Sequence, residues 1–160
     1  MPVSNLSTTD SVSNVYVACN DSPRFNVVEY DTSGDELWRR DLDRSPRNLT
    51  IDSVGNAYFI LWQENTENHL IEGSDLIKVN DNANQLWGIE LAGIAVNIST
   101  DSAGSVYVDQ YLVEGAYFSN LIGEDRGLFK FDTNGNELWR RQLHSPTGLG
   151  ASGPPSTPLP

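Results

Sequence analysis

Sulfur is almost absent from this 160-residue chain, which has one methionine, Met1, and one cysteine, Cys19. A single cysteine excludes an intrachain disulfide. With only His69 and His144 beside it, the usual structural zinc site lacks ligands. Basic residues are also scarce: 10 Lys and Arg stand against 22 Asp and Glu, a formal net charge of -12. Such a surface repels polyanions, which argues against nucleic acid or an anionic membrane as partner. No apolar run approaches the roughly 20 residues of a membrane span. The first residues, Met1 to Ser11, show neither the basic nor the apolar stretch of a secretory leader, so a cytoplasmic or virion location is expected. The length suits one domain with a real core.

What the chain does have is internal repetition, which decides the fold if it is present. One motif occurs three times: Asp31-Thr-Ser-Gly-Asp-Glu-Leu-Trp38, Asn80-Asp-Asn-Ala-Asn-Gln-Leu-Trp87 and Asp132-Thr-Asn-Gly-Asn-Glu-Leu-Trp139. A second alternates with it: Asp10-Ser-Val-Ser-Asn-Val-Tyr16-Val17, Asp52-Ser-Val-Gly-Asn-Ala-Tyr58-Phe59 and Asp101-Ser-Ala-Gly-Ser-Val-Tyr107-Val108. A shorter echo, Asn5-Leu-Ser, Asn48-Leu-Thr and Asn97-Ile-Ser, precedes the second motif each time. Runs of Val, Ile, Leu and aromatics bounded by Asp, Gly, Asn and Ser read as strands. The first unit predicts strands around Leu6, at Val15 to Ala18, at Asn26 to Tyr30 and at Leu37 to Leu42. Asp opens each turn and Gly three places on supplies the positive φ. Where Ser13 and Ala83 replace that Gly, the neighbouring Asn14 and Asn84 are expected to take the left-handed position instead.

The expected fold is all-β: three four-stranded antiparallel units, at about 5–45, 46–94 and 95–147, followed by a Gly/Pro-rich arm or tail at 148–160. The interval from Tyr to the next turn is 15, then 22, then 25 residues (16 to 31, 58 to 80, 107 to 132). Length variation therefore collects in one loop per unit, between the second and third strands. Variable loops on one face of a constant scaffold are where binding specificity is usually found.

These motifs resemble the β-propeller repeats of bacterial and phage proteins of the SBBP type, and are similar to the tryptophan-docking repeats of quinoprotein-like propellers. The resemblance spans residues 5 to about 145. It implies that Trp38, Trp87 and Trp139, with Tyr16, Tyr58 and Tyr107, pack between blades. Propellers usually close with roughly 4 to 8 blades, so three imply a homo-oligomer, such as a six-bladed dimer, or a covering protein partner. The alternative fold is a β-trefoil or β-prism. The resemblance also suggests a setting, a structural component of a phage virion such as a head-decoration, neck or tail-fibre-associated protein.

No nucleophile elbow, His-Glu-x-x-His or phosphate loop is present. The carboxylate pair Glu64 and Glu67 sits in a polar loop with nothing to raise one pKa. No enzyme activity, cofactor or metal is expected. Asp132, Asn134 and Asn136 alternate as calcium ligands do, but turn-capping accounts for them equally. Asn5, Asn20, Asn48 and Asn97 match glycosylation acceptors yet recur with the repeat, and read as strand and turn residues. The candidate partner or ligand face comprises Trp62, His69, Tyr111, Tyr117, Phe118 and Arg126, aromatics beside polar groups in or near the two long loops. Aromatics favour protein interfaces; a glycan is the alternative ligand. Arg39, Arg40, Arg44, Arg47, Arg140 and Arg141 are expected to pair with carboxylates across units or subunits.

Overall fold

A computed structural model describes residues 6–21, 23–91, 93–112 and 125–143. Twelve strands follow one another: β1 (Leu6–Thr9), β2 (Val15–Asp21), β3 (Arg24–Tyr30), β4 (Glu36–Leu42), β5 (Pro46–Ile51), β6 (Ala57–Glu64), β7 (Ile71–Val79), β8 (Gln85–Leu91), β9 (Ile94–Thr100), β10 (Val106–Tyr111), β11 (Arg126–Phe131) and β12 (Glu137–Leu143). They form three four-stranded antiparallel sheets, β1–β4, β5–β8 and β9–β12, each a simple meander of consecutive strands. The described residues contain no helix. A trefoil would pair strands from different units around a barrel; here every sheet pairs only its own four strands, so the trefoil falls.

The three units differ in how they are covered, and the sequence of their second strands shows why. In β6 all of Ala57 to Trp62 is buried, a continuous apolar run. In β10, Val106, Val108 and Gln110 are buried while Tyr107, Asp109 and Tyr111 are half-buried, an alternation. A strand covered on both faces reads as unbroken apolar residues; one covered on a single face alternates. The middle sheet is accordingly sandwiched. Tyr16, Ala18, Val27, Ala57, Phe59 and Val79 fill the space between the first two sheets. Tyr58, Ile60, Trp62, Val106, Val108 and Phe131 belong to the cluster between the second and third. The first strands line up, with β5 against both β1 and β9. There Asn48 Nδ2 donates to Asn97 Oδ1 at 3.0 Å.

One irregularity recurs in all three sheets. The register slips at Glu29/Tyr30, at Lys78/Val79 and at Lys130/Phe131, so that Leu37, Leu86 and Leu138 are passed over in the pairing. This bulge turns each of those leucines out to solvent. It also sets the following Trp on the opposite face, directly across from Glu29, Lys78 or Lys130.

Candidate functional site

The first and third hairpin turns of each sheet are cages around one side-chain oxygen. Oδ1 of Asp10, Asp31, Asp52, Asn80, Asp101 and Asp132 accepts from the backbone N–H groups two and four residues on, at 2.8–3.1 Å. The fourth residue donates its N–H to the carbonyl of the first. That geometry forces a positive φ on the fourth position whatever occupies it: Gly34 (87°), Gly55 (87°), Gly104 (78°), Gly135 (84°), but also Ser13 (70°) and Ala83 (60°). The expectation that Asn14 and Asn84 take over the left-handed conformation is therefore wrong. The cage fixes which residue is strained, and residue preference does not move it.

Above each pair of turns, Tyr and Trp meet edge to face within one sheet: Tyr16–Trp38 at 6.0 Å between centroids, Tyr58–Trp87 at 5.8 Å and Tyr107–Trp139 at 6.1 Å. Tyr58 and Tyr107 donate their hydroxyls to Asp52 Oδ2 and Asp101 Oδ2, each at 3.0 Å. Burial, reinforced by the Asp52 charge, pushes the Tyr58 hydroxyl far above its ordinary range. Burial also lowers Lys78, against the pull of Asp52 and Asp132.

The Trp residues are the joints between sheets. Trp87 Nε1 donates to the Thr133 carbonyl at 3.0 Å, and Lys78 Nζ reaches the same oxygen at 3.1 Å. The indole lies over Gly135, where an added Cβ would stand 3.2 Å from the ring. The first joint is built differently. Trp38 Nε1 is buried with no hydrogen-bond partner. Arg40 instead spans the gap, donating to the Ala83 carbonyl and to Gln85 Oε1, both at 2.9 Å. Ala83 sits where Gly135 admits the ring in the second joint. The arginines thus depart from expectation. Arg39 and Arg140 bind Glu36 and Glu137 on their own strands, and Arg40 uses a carbonyl and an amide. Among the described residues, only Arg44 crosses to another unit's carboxylate, Asp75.

A third set of docking side chains, on the last sheet, has no described sheet to meet. Trp139 packs on Tyr107 and takes Arg141 over its ring at 5.8 Å, but its indole N–H makes no hydrogen bond among the described residues. Leu143 is 44% exposed, whereas its counterpart Leu91 in the middle sheet is 6% exposed. At the other end, nothing lies within 4 Å of a Cβ added at Gly34.

An open cleft lies beside the first joint, lined by Phe25, Arg44, Ser45, Arg47, Trp62 and His69 among others. Here two of the expected site residues, Trp62 and His69, come together. Trp62 is only 7% exposed, donates its N–H to the Ala95 carbonyl at 2.8 Å, and lies under the Arg47 guanidinium at 4.3 Å. His69 is exposed, with Nδ1 3.1 Å from Glu64 Oε1. Burial lowers Arg47, with Glu64 opposing. Tyr111 and Arg126 form a separate pair on the last sheet: the guanidinium is 5.3 Å from the ring and bound to Asp109. Tyr117 and Phe118, with His144 and the 148–160 arm, lie outside the described residues. Sequence reasoning missed Ser45 and Arg47, whose signal was the Ser-Pro-Arg linker between units. Also missed was Gln110, fully buried with both amide atoms unpartnered. Among the described residues, no group of three or more His, Cys, Asp or Glu is placed to hold a metal ion. The Asp132 carboxylate is occupied by Asn134, Asn136 and the Asn136 amide.

No family model matches the chain, and no curated protein is similar to it in sequence. Solved structures are similar in fold. A protein of unknown function from Bacteroides caccae is 13% identical with a TM-score of 0.54, over 86% of this chain and 48% of that one. A cobalt-substituted apocarotenoid oxygenase from Synechocystis is 15% identical with a TM-score of 0.59, over 88% of this chain and 39% of that one. The chain spans about half or less of the length of these structures. Its class is all-β, with three antiparallel sheets in a propeller-like arrangement.

Proposed function

We propose that this chain is a non-enzymatic binding module that works by docking its outer sheets against protein, as three blades of an incomplete propeller. One comparison carries the reading: Leu143, exposed at 44%, occupies the place that Leu91 fills at 6%. The last sheet thus bears a docking face built like the two already in use inside the molecule. About 4 to 8 blades close a propeller, and two copies of this chain would bring six. The resemblance of the repeats to bacterial and phage proteins supports a structural place in a virion as the setting. Catalysis is not part of the reading, because the best-placed carboxylates serve turns and ion pairs. A carbohydrate site at the cleft is less well supported, since Arg47 already covers the Trp62 ring that a sugar would stack on. Light scattering coupled to size exclusion tests the proposal. A mass near 35 kDa, twice 17.7 kDa, is expected; a well-behaved monomer at every concentration would remove it.

A further inference from the structure

We infer that the last sheet of one copy docks on the Asp31–Glu36 turn of a second copy, repeating between molecules the register of the internal joints. The inference rests on the association reading above and names the surfaces. Inside the chain, four donor contacts define a joint: Trp87 and Lys78 to the Thr133 carbonyl, and Arg40 to the Ala83 carbonyl and to Gln85. Repeat positions convert these into a list for the open ends. Trp139 stands for Trp87, Lys130 for Lys78 and Arg141 for Arg40. Thr32 stands for Thr133, Gly34 for Ala83 and Glu36 for Gln85.

Every member of that list is suited to its part. The indole N–H of Trp139 makes no hydrogen bond among the described residues, and Arg141 bonds only the Arg140 carbonyl beside it. The Asp31-Thr-Ser-Gly turn matches the Asp132-Thr-Asn-Gly turn that Trp87 already covers, with Gly at the point of ring contact. Gly34 has the open space that the ring requires. Glu36 stands where Gln85 accepts from Arg40, so Arg141 would meet a carboxylate, one that Arg39 of its own strand also binds. Lys130 is held by Asp101 at 3.4 Å and over Tyr107 at 4.9 Å, as Lys78 is held near Asp52 and over Tyr58 at 5.0 Å in the internal joint. A second copy fits because one chain carries both the donor face and the acceptor turn. Each copy can then serve the other, and the pair closes without leaving an end open.

Charge reversal tests the register without touching the core, since Glu36 and Arg141 are both exposed. Full-length Arg141→Glu and Glu36→Arg are purified separately and mixed in equal amounts. Each variant alone places like charges in both joints, so each is expected to run at 17.7 kDa, with the dissociation constant raised at least about tenfold. In the mixture one joint is native and the other is reversed but matched, so the dimer mass returns. Variants that remain dimeric alone, or a mixture that stays monomeric, overturn the proposed register. If wild type is dimeric in that case, the association reading survives and only its surfaces are wrong. A monomeric wild type removes both.

Discussion

Six side-chain oxygens, one opening the first and one the third hairpin turn of each sheet, set the backbone of the residue three places later. At Ala83 this imposes φ of 60° on a residue with a Cβ. Ala83→Gly removes that strain at the cost of some chain entropy, so unfolding in urea is expected to need about 0.5–1 kcal/mol more. Gly135→Ala and Gly55→Ala form the converse pair. Both place a Cβ at φ near 85°, but only at Gly135 does it meet the Trp87 ring, at 3.2 Å. The Gly135 variant should lose about 1 kcal/mol more than the Gly55 variant, the excess being overpacking. The turns also leave a mark on pH dependence. The Ser105 N–H, then the Tyr107 hydroxyl and Lys130, hold Asp101 below the usual carboxylate range, and the Asn136 side chain and N–H do so for Asp132. A carboxylate depressed in the folded state stabilises it above the unfolded value, about 3.9, and that contribution is lost as pH falls through the folded value. Thermal melts from pH 5 to pH 2 should therefore show a shallower acid limb for Asp101→Asn. An unchanged limb would mean that other groups govern acid unfolding. The oxygens and glycines of these turns were legible in the sequence. The strain at Ser13 and Ala83 was not, because residue preference favoured their Asn neighbours and the cage outweighs preference.

The strands and their pairing into sheets were legible from one constant interval and one alternation. Trp follows the turn by seven residues each time (31 to 38, 80 to 87, 132 to 139), and the Tyr-bearing motif alternates with it. Contacts between sheets were harder to read, because the two joints use different donors at equivalent places. Arg40 in the first becomes Ile89 in the second, and the buried indole N–H of Trp38 finds no acceptor while that of Trp87 finds Thr133. That difference is measurable. Trp87→Phe loses a hydrogen bond along with ring area, whereas Trp38→Phe removes an unsatisfied donor along with the same area. The Trp87 variant should be the less stable of the two by about 1 kcal/mol or more in chemical denaturation. Equal losses would show that the Thr133 bond contributes nothing net. The cleft was illegible for a related reason: Ser45 and Arg47 flank Pro46 at the start of β5 in a stretch that reads like any polar loop, and only packing brings them to Trp62 and His69. Gln110 shows the same limit, since a glutamine in an alternating strand gives no sign that its side chain will be fully enclosed.

For the whole molecule, the three sheets are not equivalent in what they bury, and under the proposed association stability would depend on more than the single chain. The middle sheet is covered on both faces; in the proposed association the outer ones would complete their burial. Anything that binds the folded state raises its apparent stability by mass action, and for a self-associating chain the ligand is the chain itself. The melting temperature should therefore rise with protein concentration. With a net charge of -12 on each copy, long-range repulsion opposes that approach, and ions at about 0.15 M screen it beyond roughly 8 Å. The Arg141–Glu36 contact acts at shorter range than that, so moderate salt should help the copies meet while leaving the joint intact. The expected record is a melting temperature that climbs with concentration at about 0.15 M salt and climbs less at low salt. Arg141→Glu should show no concentration dependence under either condition. A wild-type melting temperature independent of concentration would mean that the exposed Leu143 and the half-buried Trp139 are tolerated as they stand, and that the chain is stable with its outer faces open to water.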